Sequence, residues 1–149
     1  MILFLTIISF LIILFVIKRL KLPLGDILFL ISMPPFLLFI FFCTYYYTPI
    51  DIAFVAATYG GVYMLPALIL FSMTIVFLYQ KYEFSYIKIV AFAPIVAFVS
   101  SSCYLSIIEL IRGHEVNFRW VIFYAIISII TGTLSTILLY YIRRRLDAN

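Results

Sequence analysis

The sequence predicts an all-α integral membrane protein, a compact bundle of five transmembrane helices. Of its 149 residues, 67% are hydrophobic and only 11% are charged, and the mean hydropathy is +1.27. A soluble domain contains about 25% charged residues. The apolar residues fall in five long runs, and a helix needs about 20 such residues to cross a hydrocarbon core about 30 Å thick.

Helix is the predicted conformation of every run. Backbone N–H and C=O groups in lipid must be satisfied within the protein, which leaves only helices and closed barrels. Barrel strands alternate apolar and polar residues, and these runs do not alternate. The predicted spans are residues 2–17, 27–47, 52–79, 87–111 and 120–142. Their short connections predict a single membrane domain over residues 1–149.

The first predicted span, 2–17, is the shortest, and Lys18, Arg19 and Lys21 follow it. Long basic side chains snorkel towards water and extend a short apolar run. A signal peptide is not favoured, because the positive charge follows the apolar run and no small-residue cleavage site is present. The alternative is four spans, with the first run at the interface or the Pro34-Pro35 segment re-entrant.

Helix breakers occupy the middle of three spans. Proline removes an intrahelical hydrogen bond and kinks a helix. Broken helices in membranes line cavities or act as hinges, although kinks also occur in spans that transport nothing. The breakers are Pro34 and Pro35 in the second span, Gly60, Gly61 and Pro66 in the third, and Pro94 in the fourth. Gly113 is expected to end the fourth helix.

The basic residues predict the orientation. With five spans and the N-terminus outside, eight of the ten Lys and Arg residues lie on the cytoplasmic side, and only Arg112 and Arg119 lie outside. The positive-inside rule favours this N-out, C-in arrangement. The net charge of +4 is then explained by topology and by anionic lipid. Membrane lipid is therefore an expected partner, and nucleic acid is not.

The fourth span carries a candidate intramembrane polar face formed by Ser102, Ser106 and Glu109. Their spacing of i, i+4 and i+7 places them on one side of a helix. A charged side chain within a span is costly and by default suggests a functional site, here an aqueous path or a cation site. The competing interpretation is structural, with Glu109 paired to Arg112 at i+3 and the serines bonded to their own i−4 carbonyls.

Two further surfaces are candidates for contacts with other chains. Ser128, Gly132 and Thr136 form a small-residue helix-packing face at i, i+4 and i+8, which allows helices to approach closely in lipid. The partner helix can belong to the same chain, to another copy or to another protein. The second is a cytoplasmic basic surface suited to an acidic partner or to anionic headgroups, formed by Lys81, Lys88, Arg143, Arg144 and Arg145.

No metal, cofactor or catalytic motif is predicted. The sequence contains no HExxH, GxSxG, P-loop or CxxC pattern, each of which carries a defined chemistry. His114 and Glu115 are too few to hold a metal ion. Cys43 and Cys103 both lie in apolar runs and do not indicate a disulfide framework.

The expected function is therefore that of a small, non-enzymatic bacterial inner-membrane protein acting through helix–helix contacts, as an oligomer or with a protein partner. Its small size, its lack of motifs and its 16 Phe and 12 Tyr, which have AT-rich codons, suggest the membrane component of a defence or toxin-immunity system. One alternative is a small channel or transporter with a polar path on helix four. Another is a membrane subunit of a lipid-handling enzyme, with Glu109, Arg112 and His114 together at the outer surface.

Overall fold

A computed structural model describes residues 18–19, 21–45, 47–82, 85–111, 113 and 117–146. Five helices lie wholly within these residues, and the described chain contains no strand. The helices are α1 (Leu24–Tyr45), α2 (Ile50–Tyr63), α3 (Leu65–Lys81), α4 (Tyr86–Ile111) and α5 (Phe118–Leu146). The predicted all-helical class is confirmed. The predicted first span, 2–17, lies outside the described residues.

Three helices, α1, α4 and α5, are each long and apolar enough to cross a membrane. The chain is therefore an integral membrane protein by the length and composition of its helices. The predicted third span, 52–79, is divided between α2 and α3, which bend by 67° at their junction. The described residues thus contain three candidate spans, or four if α2 and α3 form one broken span, and the count of five stays a prediction.

The break between α2 and α3 lies at the breakers predicted from the sequence. Pro66 is in the first turn of α3, where a proline is tolerated, whereas in one continuous helix its ring would clash with the carbonyl of the residue four positions earlier. Gly60 and Gly61 weaken the preceding turn. Met64 links the two helices, because its N–H donates to the Gly60 carbonyl at 3.0 Å and its own carbonyl accepts from Leu68 at 3.0 Å.

The other prolines do not interrupt their helices. The α1 helix continues through Pro34 and Pro35, and α4 continues through Pro94. The alternative of a re-entrant Pro34-Pro35 segment is therefore wrong within the described chain, because α1 is one continuous helix there. Gly113 follows α4 with φ +70°, the left-handed conformation expected of a glycine that ends a helix.

The α2–α3 pair runs from one end of the bundle to the other. Just before α2, the Thr48 N–H donates to the Phe42 carbonyl near the end of α1 at 3.3 Å. Near the end of α3, the ring centroid of Tyr79 lies 4.4 Å from that of Tyr140. Tyr140 belongs to the same core cluster as Leu22 and Ile27 at the start of α1. The bent pair is thus either one broken span or a re-entrant loop.

The apolar core is concentrated at one end of the bundle. The start of α1, the end of α3, the start of α4 and the end of α5 meet at this end. We call it the basic end, because eight of the ten basic residues flank these termini. The core side chains belong to α1, α3, α4 and α5, together with Leu22 just before α1: Leu22, Ile27, Leu30, Phe71, Ile75, Val76, Ile89, Ala93, Ala97, Leu139 and Tyr140. We call the opposite end the cleft end, where packing is looser.

Candidate functional site

A cleft of about 490 Å³ opens at the cleft end of the bundle. It lies between the end of α2, the last turns of α4 and the first turns of α5. Its described lining combines one carboxylate, one carboxamide and three aromatic rings with two aliphatic side chains: Tyr63, Leu105, Glu109, Asn117, Trp120, Val121 and Tyr124. The lining along α5 extends from Asn117 to Tyr124, a rise of roughly 10 Å at 1.5 Å per residue.

The start of α5 positions three lining residues. Asn117 caps the helix, because its Oδ1 accepts the Arg119 N–H at 3.2 Å, as is typical of an N-cap asparagine. Trp120 and Tyr124 follow one turn apart on one side of the helix, with ring centroids separated by 6.1 Å and ring planes inclined by 28°. Their stacking creates a continuous aromatic wall.

Tyr63 completes the lining because α2 ends there. The last carbonyls of a helix have no intrahelical partner, and the Tyr63 carbonyl accepts a hydrogen bond from the Tyr104 hydroxyl of α4 at 2.7 Å. The two rings also meet edge to face, with centroids 6.2 Å apart. Because α2 ends at this break, the Tyr63 side chain lines the cleft, and the hydrogen bond from Tyr104 holds the end of α2 against α4.

The predicted polar face on α4 is only partly in the cleft. Glu109 lines it, and Leu105 one turn earlier lies beside it. Ser106 is half-buried and does not line the cleft. The Ser102 Oγ is buried and has no hydrogen-bond partner among the described residues.

Neighbouring serines on α4 are more deeply buried than the predicted face. Ser101 donates to the Ala97 carbonyl at 2.6 Å, and Ser100 donates to the Val96 carbonyl. These are i−4 bonds of the kind that the structural interpretation assigned to Ser102 and Ser106, but they are made by neighbouring residues, and Ser102 forms no such bond within the described chain. Arg112, His114 and Glu115 lie outside the described residues.

The predicted packing face of α5 is turned into the bundle. Gly132 and Thr136 are buried and Ser128 is half-buried. A Cβ added at Gly132 would lie 3.1 Å from the ring of Phe71 in α3 and 3.2 Å from the Cβ of Ala97 in α4. The chain's own helices therefore cover this face around Gly132, and another chain would have to displace α3 and α4 to use it.

The predicted basic surface is at the basic end. Lys81, Lys88, Arg144 and Arg145 are exposed, and the Arg145 guanidinium donates to the Tyr141 hydroxyl at 2.8 Å. Arg143, in contrast, is half-buried and forms an ion pair with Asp26. It donates to Oδ1 of Asp26 through Nη2 at 2.8 Å and through Nε at 3.1 Å.

Sequence reasoning missed this Asp26–Arg143 ion pair. The two residues are 117 positions apart, and no sequence motif connects them. The available signal was that both charges border predicted spans on the same side of the membrane. The pair joins the first turn of α1 to the last turns of α5 and thereby closes the basic end.

No three His, Cys, Asp or Glu side chains cluster as a metal site would require within the part of the chain that the structure describes. The chemistry of the cleft is thus that of one carboxylate among aromatic rings. No protein-family model, curated protein or solved structure matches the chain.

Proposed function

We propose that the protein is a non-enzymatic bacterial inner-membrane protein that acts by binding another membrane-embedded chain, either a second copy or a protein partner. The observation that carries this proposal is an unoccupied small-residue face on α2. Because the comparable face of α5 is covered by the chain's own helices, α2 offers the accessible contact of this kind among the described helices.

The α2 helix has two small-residue faces. Ala53 and Ala57 are buried, and a Cβ added at Gly61 would lie 2.7 Å from Cγ of Pro35 in α1. This first face, at i, i+4 and i+8, packs against α1. The second is formed by Ala56, which is exposed, and Gly60, where an added Cβ would meet no heavy atom within 4 Å.

The second face suits a helix contact in lipid. Lipid chains are as apolar as leucine side chains, so helices associate through close packing at small residues and not through the hydrophobic effect. Ile52, one turn before Ala56 on the same side of the helix, is 56% exposed, and Tyr59, next to Gly60, is 76% exposed. The two small residues thus lie beside large exposed side chains.

A substitution at Gly60 tests whether this face binds another chain. Gly60→Leu places a large side chain on the open face, where its Cβ would meet no heavy atom within 4 Å, whereas Ala91→Leu places leucine at an exposed position of α4 as a matched control. A photo-crosslinking residue at position 56 should capture a second polypeptide in native membranes, and Gly60→Leu should abolish that product. Absence of any crosslinked product, a product that Gly60→Leu leaves unaffected, or equal loss with Gly60→Leu and Ala91→Leu contradicts the proposal.

The biological setting that we propose is a defence or toxin-immunity system. Its support is the small size, the absence of catalytic motifs and the Phe- and Tyr-rich composition. Cells expressing the protein should survive challenge by a pore-forming toxin or by phage better than cells expressing Gly60→Leu. Equal survival of the two at equal membrane abundance contradicts this setting.

A channel is the second candidate, favoured by one observation. Glu109 lies in an open cleft and the buried Ser102 hydroxyl lacks a partner in the described chain, so a polar route can start at the cleft end. Cation flux into proteoliposomes should then fall sharply with Glu109→Gln and remain with Asp51→Asn, which removes another charge from the cleft end. Unchanged flux with Glu109→Gln removes the channel hypothesis.

A further inference from the structure

The charge in the cleft is uncompensated among the described residues. Glu109 is the charged residue in the described lining, and no described basic side chain lines the cleft or forms an ion pair with Glu109. A half-buried carboxylate loses part of its hydration, and a cation held beside it restores the lost electrostatic stabilisation. The cleft therefore favours a positively charged occupant.

The three rings define which cation fits. Ammonium groups are attracted to the faces of Trp, Tyr and Phe, and tryptophan is the strongest of these. Trp120, Tyr124 and Tyr63 all line the cleft beside Glu109. Rings combined with one carboxylate suit an alkylated ammonium group, because the rings contact its carbon atoms while the carboxylate balances its charge. A small hydrated metal ion would leave the rings unused.

The size and position of the cleft agree with this chemistry. Its volume of about 490 Å³ lies within the range of small-molecule pockets, about 300–1,000 Å³. It opens where α4 ends and α5 begins, which is the depth of lipid headgroups for helices that span the membrane. Among the described residues at the cleft end, Asp51 and Glu109 are acidic and Arg119 is basic.

We propose that this cleft binds an organic ammonium cation between the Glu109 carboxylate and the rings of Tyr63, Trp120 and Tyr124. The cation is either a soluble amine or the headgroup of an aminophospholipid, since both present the same charged group. This binding site does not depend on the α2 contact proposed above, because Ala56 and Gly60 do not line the cleft.

The protein contains its own reporter for this site. Trp120 is the single tryptophan of the chain, so a change in tryptophan fluorescence reports directly on the cleft. The probe is tetramethylammonium, titrated into protein in nanodiscs of phosphatidylglycerol, which carries no amine. Sodium chloride at equal ionic strength and a neutral alcohol of the same shape serve as comparison solutes. A saturable change that only tetramethylammonium produces is expected.

Matched variants separate the roles of charge and ring. Glu109→Gln should weaken binding by about tenfold or more, the effect of about 1.4 kcal/mol, while Asp51→Asn at the same end should leave it unchanged. Tyr124→Phe retains a ring and should bind nearly normally, whereas Tyr124→Leu should weaken binding by about 3- to 30-fold. Because Tyr124→Phe and Glu109→Gln change few atoms, their far-UV circular dichroism should match that of the native protein.

Nanodiscs containing phosphatidylethanolamine distinguish the two sources. If the lipid headgroup occupies the cleft, this lipid shifts the Trp120 emission in native protein but not in Glu109→Gln, and it competes with tetramethylammonium. If the lipid changes neither property, the natural occupant is a soluble amine. The proposal is overturned if the neutral alcohol acts as tetramethylammonium does, if Glu109→Gln and Asp51→Asn weaken binding equally, or if binding appears only after Arg112→Gln frees the carboxylate.

Discussion

Removing Arg143 should destabilise the protein more than removing Asp26, although the two residues form one ion pair. The Asp26 side chain is only 9% exposed, whereas that of Arg143 is 38% exposed. Arg143→Ala leaves a carboxylate buried without its cation, which costs about 3 kcal/mol. Asp26→Ala leaves a guanidinium that can reach water or headgroups, so its expected cost is about 1–2 kcal/mol.

The coupling energy of the pair follows from the same geometry. A fully buried pair loses about 3–5 kcal/mol when one partner is removed, and an exposed pair contributes about 0.2–1 kcal/mol. Both guanidinium bonds go to Oδ1, and Oδ2 has no partner among the described residues. The intermediate burial and the single accepting oxygen give an expected coupling of about 1–2 kcal/mol.

A double-mutant cycle measures both quantities. The free energy of unfolding is obtained by titrating SDS into mixed micelles and following far-UV circular dichroism for the two single variants and the double variant. The double variant should be about as stable as Arg143→Ala alone, because removing the buried carboxylate regains a coupling of about 1–2 kcal/mol that offsets the similar cost of Asp26→Ala. Arg144→Ala, at an exposed neighbour, should change the stability by less than about 0.5 kcal/mol. Equal costs for the two single variants, or a coupling below about 0.5 kcal/mol, refute this account of the basic end.

Three further predictions concern packing, the helix break and orientation. Gly132→Leu should destabilise the protein by about 1–3 kcal/mol through overpacking, while Gly25→Leu, where an added Cβ meets nothing within 4 Å, should be tolerated in the same SDS titration. Tyr104→Phe should cost about 1 kcal/mol and should speed hydrogen exchange at the junction of α2 and α3. In cells carrying the protein without its native cysteines, a membrane-impermeant maleimide should label Asn117→Cys and not Lys88→Cys, and the reverse labelling would invert the predicted orientation.

The helical class was predictable from the sequence because long apolar runs must form helices in lipid. The helix break at Pro66 was predictable only as one of three candidate sites, because prolines also lie within the continuous helices α1 and α4. The different behaviour of Pro34 and Pro35 was not predictable. Pro35 lies against Gly61, where a larger residue would clash, so the fate of that segment depends on a neighbour from another helix.

Of the residues that line the cleft, only Glu109 was predictable from the sequence as a site residue. Glu109 stands out in the sequence because a carboxylate near the end of an apolar run is rare. Tyr63, Trp120 and Tyr124 resemble ordinary membrane-interface aromatics in the sequence, where such residues are common. They become site residues because the chain reversal between α4 and α5 and the end of α2 bring three separate segments to one place.

The helix break connects the two proposals physically. Because α2 ends at Tyr63, the Tyr63 carbonyl accepts the Tyr104 hydroxyl and the Tyr63 ring lines the cleft, while in the last turn of α2 a Cβ added at Gly60 would meet no heavy atom within 4 Å. A straight helix through this region would continue along the bundle and would remove the conditions for both features. An occupant of the cleft that contacts Tyr63 therefore also acts on the end of the helix that presents the open face. Binding of an ammonium ligand and binding of a second chain should consequently influence each other through α2, and by thermodynamic linkage the effect should be equal in both directions.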